Sequence, residues 1–321
     1  MITPGRLWYL LRKNSREGWS TPFFRERIRP RIVDTPPVTT AATGPAEVHV
    51  LTSQGDWINL LWSLKSFYHF AERDYPLVIH ADGTCDAATC ATLAQHFPTA
   101  RIIGKSEADA ALAQPLAGYP LCARYRGFHA LARKAFDTGY YLQAPRMLLL
   151  DSDLVFFAPP RELIARTEDP EYTRSTFNAD VAPGLNISPD EARRRFGIEV
   201  VERINSGLAL VQREVLNLDW MEEFLACQSL WDGHPWRIEQ TLLALGASRH
   251  GVELLPDSYR VSLRPGLAGC VVKHYVGAVR HLMYREGMAH LWRGGFLERP
   301  RARASVRALA HEPVLGGGRG S

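Results

Sequence analysis

Residues 147–157 most strongly constrain the fold of this chain, because they place two carboxylates between two hydrophobic runs. The segment reads Met-Leu-Leu-Leu-Asp-Ser-Asp-Leu-Val-Phe-Phe, with Pro145 before it and Pro159-Pro160 after it. A Leu-rich run of this length between turn residues predicts a buried strand. An unpaired carboxylate is very costly inside a core, so we expect Asp151 and Asp153 to open onto a cleft.

The spacing of these two acids predicts a metal site. Side chains at positions i and i+2 of an extended chain point the same way, so both carboxylates can reach one object. Hard oxygen ligands suit Mg²⁺ or Mn²⁺. The alternative interpretation is a strand-end aspartate that caps the next turn, because Asp is common in turns.

The segments around this run alternate between strand patterns and helix patterns. Strand patterns occur at residues 48–51, 77–80, 101–103 and 203–213. Helix patterns occur at residues 57–70, 86–96, 121–136 and 236–247. This alternation predicts an α/β fold with a mostly parallel, doubly wound sheet. Ligands bind such sheets beyond the carboxyl ends of the strands, which is where Asp151 and Asp153 lie.

Cysteine content and hydropathy argue against several classes of protein. The 321 residues contain five cysteines, none in a Cys-x-x-Cys pair, so neither a disulfide framework nor a zinc ribbon is supported. No apolar run approaches the roughly 18 residues of a membrane span. The apolar stretch Trp8-Tyr9-Leu10-Leu11 is stopped by Arg12-Lys13, which argues against a signal peptide. We therefore expect a cytoplasmic protein.

The net charge of +4 conceals an uneven distribution. Residues 1–32 carry eight Lys and Arg against two Asp and Glu, and residues 299–321 carry five Arg against one Glu. The central part is therefore mildly acidic, which argues against nucleic acid as the main partner. The basic N-terminal arm also contains Trp8, Trp19 and Phe23. Two interpretations stay open: peripheral contact of the arm with the inner face of the membrane, or packing of the arm on the body.

Three later segments carry polar residues suited to a ligand. Asn205-Ser206-Gly207 opens an apolar strand, where glycine permits close approach and Asn and Ser suit sugar hydroxyls. Glu239-Gln240 lies in the first turns of a helix. A short strand delivers His274, whose imidazole suits a metal, and Gly277 and Arg280 then suit phosphate oxygens. Taken singly, the Asn-Ser-Gly segment is more typical of a turn, and a glutamate on a helix is commonplace.

Together these segments resemble those of a known family. Asp151-Ser152-Asp153, Asn205-Ser206-Gly207, Glu239-Gln240 and His274-x-x-Gly277-x-x-Arg280 stand in the order and rough spacing of GT-A-fold glycosyltransferases. The chain is most similar to the retaining group that includes glycogenin and the bacterial lipopolysaccharide galactosyltransferases. The resemblance implies a GT-A fold, with one catalytic domain over residues 46–292. A basic aromatic arm and linker at 1–45 and a disordered basic tail at 293–321 would flank it.

The resemblance also implies how a nucleotide sugar is bound. Asp151, Asp153 and His274 would bind a Mn²⁺ or Mg²⁺ ion that bridges the diphosphate. Gly277 and Arg280 would lie against the phosphates, although the family usually has Lys where Arg280 stands. The rest of the donor site would include Thr52 and Gln54 at the nucleobase, Ser152, and a basic residue on the preceding helix. Arg124 and Lys134 are the main candidates for that basic residue, and Arg126 and Arg133 compete with them.

The remaining segments would face the sugar. In the family an Asp-Gln pair lines the active site where Glu239-Gln240 stands, and Asn205, Ser206 and Gly207 would contact the substrate. The implied reaction moves a sugar from a nucleotide-diphosphate sugar to a saccharide, glycolipid or other acceptor. The resemblance favours retention of configuration. An inverting reaction would require a carboxylate base, for which Glu239 is the candidate.

Two alternatives stay open at this point. A strand followed by Asp-x-Asp also opens haloacid-dehalogenase-type phosphatases, whose first Asp is a nucleophile. In that class the motif lies near the domain start, whereas Asp151 follows about a hundred residues of α/β units. The other alternative is a catalytically inactive protein that binds a nucleotide sugar. Three intact candidate metal ligands argue against it.

Overall fold

The computed structural model describes Trp8, Arg12 and residues 15–298, so most of the predicted tail, residues 299–321, lies outside the described residues. Strands in the described part form a large sheet and a two-stranded sheet. They are β1 (Ala46–Thr52), β2 (Leu77–Ala81), β3 (Arg101–Ile103), β4 (Arg146–Leu150), β5 (Leu154–Phe156), β6 (Ser175–Ala179), β7 (Ile204–Gln212), β8 (Val252–Leu254) and β9 (Val272–His274).

Helices occupy most of the connections between strands. They are α1 (Trp57–Ala71), α2 (Ala87–His96), α3 (Lys105–Leu112), α4 (Pro120–Phe128), α5 (Phe136–Tyr141), α6 (Arg161–Glu168), α7 (Pro189–Phe196), α8 (Leu218–Leu225), α9 (Gln228–Asp232), α10 (Pro235–His250) and α11 (Ala289–Arg293). Short helical turns cover Thr21–Phe23, Phe24–Ile28, Arg29–Asp34, Ala130–Lys134, Arg213–Leu216, Asp257–Tyr259, Gly277–Val279, Arg280–Leu282 and Met283–Met288.

The large sheet has the strand order β3-β2-β1-β4-β7-β6-β8. Strands β1 to β4 pair in parallel, as do β6 and β8, whereas β7 runs antiparallel to both β4 and β6. The predicted α/β fold with a mostly parallel sheet is therefore confirmed. The antiparallel strand has a consequence for the site, because it brings the start of β7 beside the carboxyl end of β4.

Strand β4 is buried on both faces, as its continuous hydrophobic run predicted. Leu148 and Leu150 pack in one hydrophobic cluster, and Met147 and Leu149 pack in another on the opposite side. Alternation along an extended strand places these pairs on opposite faces. The strand ends at Leu150, and Asp151 follows at the edge of the sheet.

The helix predicted over residues 121–136 is wrong, because the structure divides this segment. Helix α4 ends at Phe128, a 3₁₀ turn covers Ala130–Lys134, and α5 begins at Phe136. His129 separates the first two with an extended backbone (φ −137°, ψ 132°), and its ring accepts a hydrogen bond from the Leu131 N–H. This local cap replaces the helical hydrogen bonding at the break.

The described part of the N-terminal arm packs on the body, which was one of the two predicted interpretations. Phe24, Ile28 and Ile32 are buried in the same hydrophobic cluster as β1 and α1. The ammonium of Lys65 is also buried and donates to Thr35 Oγ1 and to the Pro36 carbonyl, both at 2.7 Å. Phe24, Ile28 and Ile32 of the arm therefore belong to the core.

The C-terminal end of the described chain joins the same core, since Phe296 and Leu297 are buried in this cluster beyond the predicted boundary at 292. By contrast, Trp8, Trp19 and Phe23 are exposed. Within residues 15–298, together with Trp8 and Arg12, no helix combines the length and hydrophobicity needed to span a bilayer.

Candidate active site

Two strand pairings assemble the candidate site at the carboxyl end of β4. The Asp151 N–H donates to the Gly207 carbonyl at 2.8 Å, so the Asn205-Ser206-Gly207 segment of β7 lies beside the aspartates. In the small sheet, Leu154 of β5 pairs with His274 of β9. The Tyr275 N–H donates to the Asp153 carbonyl at 2.9 Å. Segments distant in the sequence therefore meet at one point.

Asp151, Asp153 and His274 form a potential metal-binding group. One ligand atom from each residue lies within 4.8 Å of the others. His274 Nε2 is 2.9 Å from Asp153 Oδ1 and 3.7 Å from Asp151 Oδ2. Two carboxylates and an imidazole suit Mn²⁺, and the carboxylates also suit Mg²⁺. The donor set present in the structure therefore fits the ion that the resemblance implies.

Gly207 makes room for the imidazole of His274. A Cβ atom built on Gly207 would lie 2.1 Å from His274 Cε1, far inside van der Waals contact. The residue sits in the middle of β7, where glycine is otherwise unfavourable. Glycine at this position therefore allows the ring to reach the aspartates.

Each aspartate also contacts a cationic side chain. Lys134 Nζ lies 2.9 Å from Asp151 Oδ1, and Arg280 Nη2 lies 2.7 Å from Asp153 Oδ2. Arg280 Nη1 also binds Asp56 Oδ1 at 2.8 Å. Burial raises the pKa of Asp153, but His274 and Arg280 more than offset this and hold it below its usual range. The carboxylate is thus ionised, as a metal ligand must be.

Lys134 is buried, and burial alone would lower its pKa, but Asp151 and Glu239 raise it. The His274 pKa is raised for a similar reason: Asp153 outweighs the opposing effect of burial. Positive and negative groups therefore alternate in the site. A bound cation would replace a basic side chain as the partner of an aspartate, and a bound anion would replace an aspartate as the partner of a basic side chain.

Glu239 and Gln240 extend from α10 toward β7. The Ser206 hydroxyl donates to Glu239 Oε2 at 3.0 Å, and Lys134 Nζ lies 3.6 Å from Oε1. Burial and, to a smaller extent, Asp151 raise the Glu239 pKa to about 7, against the opposing effect of Lys134. Gln240 Oε1 accepts from the Ser206 N–H at 3.3 Å, and its Nε2 donates to the Gly184 carbonyl at 3.3 Å.

Among the four basic residues considered for the preceding helix, the structure brings Lys134 to the cluster. Arg124 is instead exposed and lies over the Trp231 ring, 4.4 Å from its centroid. Arg126 and Arg133 form ion pairs with acidic residues elsewhere, namely Asp109 and Asp137. The break in the predicted helix explains the selection, because Lys134 lies on the 3₁₀ turn rather than on α4.

The other predicted donor-site residues occupy different environments. Thr52 ends β1, and its buried hydroxyl has no hydrogen-bond partner among the described residues. Gln54 accepts from Thr89 and donates to Asp86, so its amide is occupied at the start of α2. Ser152 is buried between the aspartates. Gly277 is exposed, and a Cβ atom there would meet nothing within 4 Å.

Asp180 is the residue at this site that the sequence reasoning missed. Its Oδ2 accepts from Asn205 Nδ2 at 2.8 Å. It directly follows β6, a strand whose sequence Ser-Thr-Phe-Asn-Ala lacks a hydrophobic pattern. An acid at a strand end was the available signal, but the strand itself could not be recognised.

No protein-family model matches the chain, and no curated protein matches its sequence. Solved structures do match. Galactosyltransferase LgtC, in complex with donor and acceptor sugar analogs, superposes with a TM-score of 0.51 at 14% identity, covering 80% of this chain and 95% of that chain. The WbbM bifunctional glycosyltransferase superposes with a TM-score of 0.50 at 11% identity, covering 75% of this chain and 47% of that chain. This chain thus matches about half of WbbM, and it has the GT-A fold of these glycosyltransferases.

Proposed function

We propose that this chain is a metal-dependent glycosyltransferase that moves a sugar from a nucleoside-diphosphate sugar to a saccharide, glycolipid or other acceptor. The observation that carries the proposal is the convergence of Asp151, Asp153 and His274 at the sheet edge of a GT-A fold. The proposed catalytic unit is residues 46–292, together with the turns over 21–34 and the residues Phe296 and Leu297 that pack on it. No observation favours the phosphatase alternative in the same way.

The three ligands would hold Mn²⁺ or Mg²⁺, which supplies positive charge against the departing diphosphate. Arg280 would add a second positive charge beside the departing diphosphate. Its guanidinium already binds two carboxylates, Asp153 and Asp56, and phosphate oxygens are acceptors of the same kind. The open space at Gly277 leaves room for a phosphate near the start of this helical turn. Arg280 would therefore exchange a carboxylate for the diphosphate when the donor binds.

The groups on the sugar side favour retention of configuration in this proposal. Glu239, the candidate base for inversion, is buried, accepts a hydrogen bond from Ser206 and lies near Lys134. A base must reach the acceptor proton directly or through one water, and a carboxylate enclosed in this way is poorly placed to do so. A departing phosphate on the same face can accept that proton instead. Glu239 then stabilises positive charge on the sugar as its bond to the phosphate breaks.

The direct test is a panel of nucleotide sugars incubated with Mn²⁺ and scored for release of nucleoside diphosphate, with and without saccharide acceptors. We expect at least one donor to be cleaved by the wild type. Asp153→Ala should lose about 10²-fold or more of this activity, because it removes a metal ligand and the partner of Arg280.

The matched control is Asp190→Ala, which removes an exposed aspartate on α7 and should retain wild-type activity. Release that is unchanged in Asp153→Ala, or absent for every donor, would contradict the proposal. Binding of a donor without any release would instead favour the inactive nucleotide-sugar-binding protein.

We also propose that the basic aromatic arm contacts an anionic membrane surface. Trp8 and Trp19 are exposed and, with Arg12 and Arg16, line a surface pocket of about 580 Å³. Aromatic side chains beside arginines suit the interface of a bilayer with anionic headgroups. An acceptor linked to lipid would then be presented close to the enzyme.

A further inference from the structure

We infer that Asn205 and Asp180 are positioning residues, which fix the tautomer of His274 so that Nε2 presents its lone pair to the metal position. This inference rests on the metal site proposed above. It gives Asn205 a role behind a metal ligand, in place of the sugar contact expected from the sequence. It also gives a role to Asp180, for which the sequence predicted none.

Two hydrogen bonds fix the orientation of the Asn205 amide. The Gly207 N–H lies 3.0 Å from Asn205 Oδ1, and a backbone N–H can only donate. Asp180 Oδ2 lies 2.8 Å from Asn205 Nδ2, and an ionised carboxylate can only accept. Gly207 lies on β7 and Asp180 just after β6, and both contacts require the same orientation of the amide. The oxygen of the amide therefore faces His274, and the nitrogen faces away from it.

This orientation places a hydrogen on one ring nitrogen of His274. Its Nδ1 lies 2.9 Å from Asn205 Oδ1, so Nδ1 must carry a hydrogen to donate to this oxygen. Nε2 lies 2.9 Å from the ionised Asp153 carboxylate, which can only accept, so in the metal-free protein this nitrogen also carries a hydrogen. A metal ion would displace that hydrogen and leave the one on Nδ1, which gives Nε2 its lone pair. Nε2 is the atom that faces both Asp153 and Asp151. Histidines that bind metals commonly donate their other ring N–H in this way, which fixes the ring and raises its basicity as a ligand.

The amide oxygen of Asn205 has no hydrogen-bonding capacity left for a ligand. An amide oxygen has two lone pairs, and the Gly207 N–H and His274 Nδ1 use both. The side chain is also buried. Asp180 is held in turn by Arg203, whose guanidinium donates to the Asp180 carbonyl at 2.6 and 2.9 Å. A sugar hydroxyl would therefore find no free acceptor at Asn205 without disturbing His274.

The first experiment measures Mn²⁺ affinity from the electron paramagnetic resonance signal of the free ion. We expect Asn205→Ala to weaken binding about 10- to 100-fold, the range typical of lost partners behind metal ligands. The double variant Asn205→Asp with Asp180→Asn should restore binding to near the wild-type value. It keeps an acceptor oxygen facing His274 and Gly207 and reverses only the direction of the hydrogen bond between positions 205 and 180. Asn217→Ala, which removes an asparagine that caps α8, is the control for an ordinary loss of an amide.

The second experiment observes the tautomer directly. Two-bond ¹H–¹⁵N correlation spectra of ¹⁵N-histidine-labelled protein in near-neutral buffer should show a hydrogen on Nδ1 of His274, assigned by its loss in His274→Ala. This measurement needs neither metal nor activity, and it still decides the question if Asn205→Ala does not fold. An Nδ1 without a hydrogen, or Mn²⁺ binding that is equal in wild type and Asn205→Ala, would overturn the inference. Failure of the wild type to bind Mn²⁺ at all would refute the metal site, while the spectra would report separately on the tautomer.

Discussion

At Gly207, the packing around a single backbone position controls the geometry of a proposed metal ligand. A Cβ atom there would lie 2.1 Å from Cε1 and 2.5 Å from Nδ1 of His274. The ring has little freedom to retreat, because Nδ1 faces Asn205 and Nε2 faces Asp153. A side chain at position 207 would therefore displace His274 itself rather than the end of a flexible residue.

We expect Gly207→Ala to weaken Mn²⁺ binding by about tenfold or more. It should also lower the free energy of unfolding by about 1–3 kcal/mol, as overpacking of a buried site does. Mn²⁺ titration and urea denaturation measure the two effects. Gly118→Ala is the control, since nothing lies within 4 Å of a Cβ atom at this exposed glycine. Equal Mn²⁺ affinity of Gly207→Ala and the wild type would contradict the packing described for His274.

At the scale of residues, the sequence predicted the types of side chain at the site better than their partners. Carboxylates at a strand end and a histidine on a short strand follow from local chemistry, and the structure brings Asp151, Asp153 and His274 together. The choice of Lys134 over Arg124 depended on a helix break at His129, which Gly127 two residues earlier does not locate by itself. Contacts of this kind depend on tertiary packing, which local patterns do not encode.

At the scale of elements, the end of helix α2 is linked to the N-terminal segment. The Val38 N–H donates to the His96 carbonyl at 2.8 Å, and the His96 side chain is buried. Burial and, to a smaller extent, Lys65 lower the His96 pKa to about 4, against the opposing effect of a hydrogen bond with the Val33 backbone. The folded protein therefore holds this imidazole neutral in a pH range where the unfolded chain would protonate it.

This difference predicts a loss of stability in acid. The unfolded pKa of histidine is about 6.5 and the folded pKa of His96 is about 4, so the unfolded state binds more protons between these values. The free energy of unfolding should fall as the pH decreases through this window. We expect His96→Gln to remove about 1–2 kcal/mol of the change between roughly pH 7 and pH 5, measured by urea denaturation. His250→Gln, at an exposed histidine on α10, should change with pH as the wild type does. An identical pH dependence in His96→Gln and the wild type would refute the assignment.

The elements differ in how far the sequence predicted them. Strands β1, β2, β3, β4 and β7 were predicted within two residues at each end, because hydrophobic runs mark strands buried in a sheet. Pairing of β5 with β9 joins positions 154 and 274, which no local pattern connects. The antiparallel direction of β7 was equally inaccessible, since a buried strand has the same pattern in either direction. These non-local pairings are the ones that complete the site.

At the scale of the whole molecule, the two basic ends of the chain leave the body near each other. The rings of Phe23 and Phe24 contact Trp292, with centroids 6.4 and 6.1 Å apart. The guanidinium of Arg293 lies over the Phe24 ring at 5.5 Å. Residues 299–321, with five arginines, follow shortly after this contact in the sequence. The described parts of the two basic ends therefore meet at one place on the surface of the body.

We expect this part of the surface to bind anionic vesicles. Co-sedimentation should be strong with phosphatidylcholine vesicles that contain phosphatidylglycerol, weak with pure phosphatidylcholine, and reduced by added salt. Replacing both Trp8 and Trp19 with serine should weaken binding by about tenfold or more, because their apolar surface is no longer buried in the bilayer. Trp236→Ser removes an exposed tryptophan outside the arm and should leave binding unchanged. Equal binding to neutral vesicles, or no effect of the double replacement, would contradict a membrane role for the arm.

The buried ammonium of Lys65 bears on how such an enzyme would work at a surface. Its hydrogen bonds to Thr35 and Pro36 attach the end of the arm to helix α1. This helix packs against the sheet that carries the aspartates. Together with the buried Phe24, Ile28 and Ile32, this attachment holds the described part of the arm in a fixed position relative to the sheet. If the arm lies on a membrane, the candidate site would be held at a fixed height and orientation above the lipid headgroups. The distance between the membrane surface and the candidate site would then limit the lengths of lipid-linked acceptor that the protein could glycosylate.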